Sequence, residues 1–257
     1  MNNLVKSSLR TLELLELFSS SSEELSLTAM SKALGIPASS MHGLIATLEH
    51  RSYIVRNPST HKYRIGPAFI KLVNTRSIFF DLVFLAAPTL DRLAKECSEA
   101  ITMSVLSESN IVFISNRASS SIIRVVNDVG TTLPAHATGS GKAMLACLTS
   151  EEIDRIYPRE DLPQHTDQTI STKSELLGAL ARVRQQGFAY DEGESEEGVW
   201  AVASCIRGMD GEPRAAVSVV VPQVRVREDM ISQWTAAVVR AAKEIGLKLA
   251  EEPDALT

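Results

Sequence analysis

Around residue 100 the hydrophobic period of this chain changes, and nothing else in the sequence constrains its fold as much. Before that point apolar residues recur at three- and four-residue steps: Val5, Leu9, Leu12, Leu15 and Phe18, with Leu14 widening the stripe. After it, Thr102 to Leu106, Ile111 to Ser115 and Ile122 to Val126 form short β-branched runs separated by turn residues. A helical period and a strand period place side chains on different faces, so one cannot stand in for the other. The chain must build two kinds of layer, and its 257 residues are enough for two domains. At 44% hydrophobic residues, each can own a core.

Several classes fall away. Ile78-Phe79-Phe80 is cut by Asp81, and the run from Leu82 to Ala87 stops at Pro88. A membrane helix needs roughly 20 apolar residues. Lys6, Arg10, Glu13, Glu16, Glu23 and Glu24 interrupt any secretory signal. Cys97, Cys147 and Cys205 are odd in number, widely spaced and form no C-x-x-C. Free thiols in a reducing cytoplasm are expected, with no disulfide framework or cysteine metal site. The five histidines lack ligand spacing, so neither metal nor cofactor is expected.

The net charge of −5 hides an asymmetry. Residues 1–76 carry nine Lys/Arg against five Glu, and the remainder carries 17 basic against 26 acidic residues. A basic front on an acidic body suits a DNA-reading head. Within that front, Ser26 can cap a short helix, Leu27 to Leu34, that stops at Gly35-Ile36-Pro37. A third helix follows from Ala38 to His50. It has Met41, Leu44, Ile45 and Leu48 on one face, and Ser39, His42, Gly43, Ala46, Thr47 and His50 on the other. Two helices joined by a glycine turn, the second with a small polar face, fit a helix-turn-helix as well as an ordinary bundle. What decides is the next segment: Tyr53 to Arg56, the turn Asn57-Pro58-Ser59-Thr60, and His61 to Ile65 form a basic hairpin, a wing. Lys62, Arg64 and Arg56 could neutralise phosphates there. Residues 68–97 read as helix, broken near Asn74 and kinked or restarted at Pro88.

Beyond the strands, Thr149-x-x-Glu152 and Thr172-x-x-Glu175 resemble capping boxes, the second opening a helix that stops at Gly187. Val199 to Arg207 and Ala215 to Val221 flank an Asp210-Gly211 hairpin turn, and a last helix runs from Asp229 to Leu249. The fold class is α+β, with an antiparallel sheet. In Leu133–Ala143 (LPAHATGSGKA), His136 and Ala143 stand where a phosphate loop needs glycine and Ser or Thr. Glycine-serine-glycine opening a helix suits a small anion such as a carboxylate, or serves only close packing. The acidic stretch Asp191 to Glu197 reads as a solvated loop from which Asp191 could orient a ligand group. His136 and Ser140 lack an acidic partner nearby and a nucleophile elbow, so no catalytic residue is assigned.

In order and spacing, these segments resemble the IclR family of bacterial transcriptional regulators. They are SLRTLELL at Ser8–Leu15, LGIPASSMH at Leu34–His42, YRIG at Tyr63–Gly66, LPAHATGSGKA at Leu133–Ala143, GFAYD at Gly187–Asp191 and AAVSV at Ala215–Val219. The resemblance implies a winged helix-turn-helix over residues 1–66, linker helices with a dimer contact over 67–97, a GAF-like effector domain over 98–250, and a tail over 251–257. It further implies an operator of double-stranded DNA, a small-molecule effector that is often a carboxylate, and a homodimer or dimer of dimers without membrane association. For DNA the candidates are Lys6, Arg10, Ser39, Ser40, His42, Thr47, Arg56, Lys62 and Arg64. For the effector, the matching positions are Gly139, Ser140, Gly141, Ala143, Asp191, Ala201, Ser218 and Val220, with Leu133, Met144 and Trp200 beside them.

This chain also departs from the family. Many relatives carry cysteine at Ala201 and serine at Val220, which leads us to expect an effector with one anionic end and a larger apolar or aromatic part. Relatives often carry a basic residue at Ala38 and Gly43. Competing readings are a thiol-redox enzyme of GAF-like fold, using one of the cysteines, and an interaction module that has lost DNA.

Overall fold

A computed structural model describes residues 4–19, 21, 23–73 and 78–251. The chain divides into two compact units, residues 1–77 and 78–257.

The first unit starts with helix α1 (Lys6–Ser19), α2 (Leu27–Leu34) and α3 (Ala38–His50). Ser26 caps α2 by accepting the Ala29 N–H at 3.1 Å, and Gly35 ends it at φ 62°, the left-handed turn glycine adopts without strain. Strands β1 (Ile54–Arg56) and β2 (Tyr63–Ile65) pair antiparallel, Ile54 opposite Ile65. Leu25 bonds Tyr63 in both directions, adding a third short rung to this wing. Helix α4 (Ala68–Val73) follows. The core joins Leu14, Phe18, Met30, Ile36, Met41, Ile45, Leu48, Ile54 and Tyr63. The expected stripe on α1 is only partly used. Leu14 and Phe18 are buried, whereas Val5, Leu9 and Leu12 are exposed, because α1 has two apolar sides and its own unit covers one.

The second unit is built on a six-stranded antiparallel sheet in the order β5-β4-β3-β8-β7-β6. The strands are β3 (Ala100–Ser107), β4 (Asn110–Arg117), β5 (Thr132–Pro134), β6 (Ala189–Glu192), β7 (Val199–Arg207) and β8 (Pro213–Pro222). Its helices are α5 (Ile78–Cys97), α6 (Gly139–Leu145), α7 (Ser150–Ile156), α8 (Lys173–Gln186) and α9 (Glu228–Glu251). Side chains alternate across the sheet. Trp200, Val202, Ile206, Val217, Val219, Val221, Ile101 and Met103 pack with residues of α5 and α9, Trp234 among them. The opposite side is paved with small residues, including Ala189, Ala203 and Ala216, under α6 and α8. Small side chains let α6 lie close to the sheet.

The capping box at Thr149 and Glu152 is present in both directions; at Thr172 the side chain accepts the Glu175 N–H. Two expectations need correcting. Of the kink or restart expected at Pro88 there is no restart: helix α5 runs through it, since Pro88 is exposed and the carbonyl it leaves unbonded can meet water. Residues 122–126 are not a strand. They belong to an irregular strap between β4 and β5, tied by Asn116 Nδ2 donating to the Asn127 carbonyl (2.8 Å) and by Arg225 donating to the Ile123 carbonyl (2.9 Å). β5 takes the edge of β4 instead, which leaves Ile122, Ile123 and Val126 exposed. The break expected near Asn74 lies outside the described residues.

Candidate functional site

Helix α3 turns Met41, Ile45 and Leu48 into the core, which leaves Ser39, Ser40, His42, Gly43, Ala46 and Thr47 exposed along the other side. The Thr47 hydroxyl donates to the Gly43 carbonyl at 2.8 Å, so what it offers outward is acceptance. On the hairpin, Arg56, Lys62 and Arg64 are exposed; Arg56 leans over the Tyr63 ring, 6.0 Å from its centroid. Lys6 is exposed and Arg10 half-buried on the first turns of α1. The outer side of α3 is therefore polar and carries no Lys or Arg; Glu49 is exposed on the same helix, and Arg51 follows it directly, ahead of the hairpin cations.

One residue outside the sequence-based set shapes this hairpin. The Glu24 carboxylate accepts from Asn57 Nδ2 at 2.8 Å and from the Thr60 hydroxyl at 2.7 Å, while Asn57 Oδ1 accepts the Ser59 N–H. The Asn57 amide, then the Thr60 hydroxyl, hold its carboxyl below the ordinary range, helped by the charges of Arg64 and Lys62. An acid would repel DNA, yet this one is occupied in fixing the turn that carries Lys62. Asn57 in an N-P-S-T turn was the available signal; its partner, 33 residues earlier, had none.

The second unit holds a small, partly open cavity of about 40 Å³ between the small-residue side of the sheet, the start of α6 and the strap. Of the residues that the family resemblance named for an effector, Leu133, Gly139, Ser140, Asp191, Ala201, Ser218 and Val220 line it, joined by Ile111, Phe113, Val125, Asn127, Thr138, Ser195, Glu196 and Val199. Ala201 and Val220 are cross-strand partners, so the two departures from the family pattern fall side by side. With Ala100 they form one apolar patch, against which Val125 and Val199 pack.

Four expected positions are corrected. Trp200 precedes Ala201 by one residue on β7 and therefore points to the other side of the sheet, with the Trp234 ring 5.7 Å away. Met144 is fully buried among Leu145, Ile153, Leu176 and Leu180, and Ala143 shares that core. Gly141 serves packing: a Cβ there would stand 2.1 Å from the Ala135 carbonyl oxygen. Its N–H is taken by the capping Thr138 hydroxyl at 3.1 Å.

The acidic stretch is not a plain solvated loop. Asp191 is buried; it accepts the Glu194 N–H (2.8 Å), the Ser195 N–H (3.3 Å) and the Ser195 hydroxyl (2.6 Å). Burial pushes its carboxyl above the usual range, and these donors with the Lys142 charge oppose that. Glu194 is buried in an ion pair with Lys142 and is likewise pushed up by burial. Across the sheet the Ser218 and Thr102 hydroxyls share a 2.6 Å hydrogen bond. Among the described residues that line the cavity, none is cationic; what faces a ligand is hydroxyls, Asn127 and the carboxyls of Asp191 and Glu196.

A winged helix-turn-helix head joined in one chain to a domain with a small polar-and-apolar cavity defines a ligand-responsive DNA-binding regulator. Family models match both parts: the IclR helix-turn-helix domain over residues 7–58, and the bacterial transcriptional regulator IclR C-terminal domain over residues 79–247. The chain belongs to the IclR family of bacterial transcriptional regulators. It is 30% identical to the transcriptional repressor IclR of Escherichia coli over 252 residues, which covers 95% of this chain and 89% of that one. To the acetate operon repressor of Salmonella typhimurium it is 29% identical over the same shares. Its fold is that of the Thermotoga maritima IclR (TM-score 0.77, 23% identity, 95% and 98% covered). It is likewise that of an IclR homologue from Microbacterium hydrocarbonoxydans complexed with 4-hydroxybenzoate (TM-score 0.80, 22% identity, 95% and 99% covered). No described helix is long and apolar enough to cross a membrane.

Proposed function

We propose that this regulator is a cytoplasmic repressor, acting as a homodimer or dimer of dimers, that releases its operator when a small organic acid enters the cavity. Its relatives' names point to repression, and it carries no catalytic role in this reading. Residues 1–66 read DNA, 67–97 link and dimerise, and 98–250 bind the effector. Ser39, Ser40, His42 and Thr47 meet the groove, while Arg56, Lys62, Arg64, Lys6 and Arg10 meet phosphates.

The cavity carries the effector reading. The acid's polar end lies among Ser140, Ser218 and Asp191, with Gly139 and Leu133 beside it, and its hydrocarbon part on the Ala201–Val220 patch. Neutral donors hold the carboxylate, because the cavity's own charged side chains are acids. A drug-sized pocket spans about 300 Å³ or more. The strap carrying Val125 and Asn127 therefore yields to admit an aromatic acid. Effector and operator favour different states, a coupling of about 1–3 kcal/mol that works equally in both directions.

The test is a salt-titrated anisotropy assay of the full chain on DNA from upstream of its own gene, against scrambled DNA. Sequence-preferring binding with a negative salt slope, relieved by an added acid, is expected. Equal weak binding to both DNAs would favour a head that has lost DNA. Calorimetry that shows glyoxylate or pyruvate binding more tightly than aromatic acids would overturn the role given to the apolar patch.

A further inference from the structure

The strap between β4 and β5, residues 118–131, forms one wall of the cavity through Val125 and Asn127. Its two ends are tied down. The Ser119 hydroxyl donates to the Ser98 carbonyl at 3.2 Å, Asn116 Nδ2 donates to the Asn127 carbonyl, and the Gly130 N–H donates to the Phe113 carbonyl at 2.8 Å. The middle is held far less. Among the described residues, one hydrogen bond joins residues 122–126 to the rest of the domain: Arg225 Nη1 donating to the Ile123 carbonyl at 2.9 Å. Ile122, Ile123 and Val126 are exposed there, while Val125 packs inward against the patch of Ala100, Ala201 and Val220.

We propose that Arg225 is the latch of this strap: clamped by Glu99, it holds residues 122–126 against the cavity and sets how readily a ligand enters, an assignment that rests on the cavity being the effector site.

The latch is built from the same two strands as the apolar patch. Glu99 precedes Ala100 of β3, Arg225 lies in the short turn that follows β8, and Ala100 and Val220 are cross-strand partners. Arg225 Nη2 donates to Glu99 Oε1 in an ion pair with side-chain exposures of 28% and 6%. Glu99 Oε2 has no hydrogen-bond partner among the described residues, so Arg225 is what satisfies this buried carboxylate. A buried acid without its cation is costly, and the guanidinium is thereby kept in place. Its planar fork serves the carboxylate with one nitrogen and the Ile123 carbonyl with the other, a geometry that an ammonium on a flexible stem holds less well. The neutral carbonyl is the weaker of the two acceptors, so the strap lets go while the ion pair stays. At about 40 Å³ the cavity is far below the roughly 300 Å³ of a drug-sized pocket, and entry requires that release.

The experiment measures access with no effector present. Ser218→Cys, made in the full-length protein, places a thiol on the cavity wall. Its alkylation by iodoacetamide is timed by peptide mass spectrometry, with Cys97, buried in the core between the sheet, α5 and α9, as the internal control. Adding Arg225→Ala together with Glu99→Gln, so that no buried carboxylate loses its cation, should speed alkylation at position 218 about tenfold and leave Cys97 unchanged. Arg225→Lys, which keeps the charge, should fall between. Brief trypsin digestion of chains that retain Ser218 gives a second reading, because cleavage after the exposed Arg124 needs the strap to open locally. That cut should also come faster in the Arg225 variants, with no new cut inside β3 or β8. Unchanged rates at position 218 and at Arg124, or a rise that Cys97 shares, would each overturn the proposal. Loss of the effector reading looks different: a cavity gated by Arg225 that no organic acid enters leaves the latch standing and removes the acid.

Discussion

The head and the body of this chain place their candidate contacts in opposite environments. On α3 of the head, core residues point one way and Ser39, Ser40, His42 and Thr47 point outward, so contact and packing occupy separate sides of the same short helix. In the body, Asp191, Ser140, Ser218 and Ala201 are all nearly inaccessible, and contact and packing share the same side chains. Substitutions in the head should therefore change binding and spare stability. In the body, the two should change together.

The sharpest break of this contrast would come from Lys142. Its ammonium is paired with Glu194 inside the body, with side-chain exposures of 7% and 11%. Lys142→Met leaves a buried carboxylate without its cation, a loss of about 3–5 kcal/mol. Urea unfolding of the full chain measures it, and adding Glu194→Gln should recover part of the loss. A cost below about 1 kcal/mol, the range of an exposed pair, would mean that the body is not closed around its acids.

The same chemical change, made at one glycine in each region, should act with opposite sign. Gly141→Ala drives a methyl against the Ala135 backbone and should cost about 1–3 kcal/mol. Gly43→Ala meets nothing within 4 Å on the exposed face of α3, and should stabilise the head by about 1 kcal/mol through helix propensity. If close approach of that face to base edges matters, operator affinity falls while the melting temperature rises. Equal signs in the two melting curves would erase the contrast.

This contrast also explains what the sequence could show. A helix face is written in local spacing, so α3 could be divided into core and outer sides residue by residue, and the basic hairpin followed it in order. The cavity is written in the register of strands distant in sequence. That Ala201 faces Val220, and that Thr102 faces Ser218, follows from long-range pairing that no local pattern encodes. Trp200 failed for that reason, being one residue from a cavity position and so on the other side of the sheet. Met144 failed because α6 is buried all round and gives no periodic hint of which side is open. The β-branched run at 122–126 looks like a strand by composition, but β5 already occupies the edge it would need.

A smaller effect sharpens the head. Lys62→Ala should leave unfolding unchanged, since the side chain is exposed, and should weaken binding alike on operator and scrambled DNA, flattening the salt slope by about one unit. His42→Ala should change sequence preference more than salt dependence, because the imidazole on the outer side of α3 is placed for hydrogen bonds to base edges rather than to phosphates. Anisotropy at several salt concentrations separates the two. Glu24→Ala, which frees the turn bearing Lys62, should resemble Lys62→Ala in slope without removing a cation.

The smallest effect belongs to the body, and it is one of pH. His136 is buried, and its Nε2–H donates to the Pro163 carbonyl at 2.8 Å. Burial first, with the nearby charges of His165 and Lys142, lowers its affinity for a proton from the ordinary 6.5. The unfolded chain then takes up a proton that the folded chain refuses. Stability from this group is complete above pH 6.5 and is lost as the pH falls through the window beneath it. Asp191 and Glu194 work the other way, since their raised values mean that the folded chain holds protons the unfolded one has released. The measurement is consequently a difference: unfolding free energy against pH for the natural chain and for His136→Asn, an amide able to keep the bond to Pro163. The natural chain should lose more stability below pH 6.5 than the variant does, because the carboxyls are common to both. Parallel curves would mean that the imidazole is protonated inside the fold, with solvent reaching a site the body is otherwise built to close.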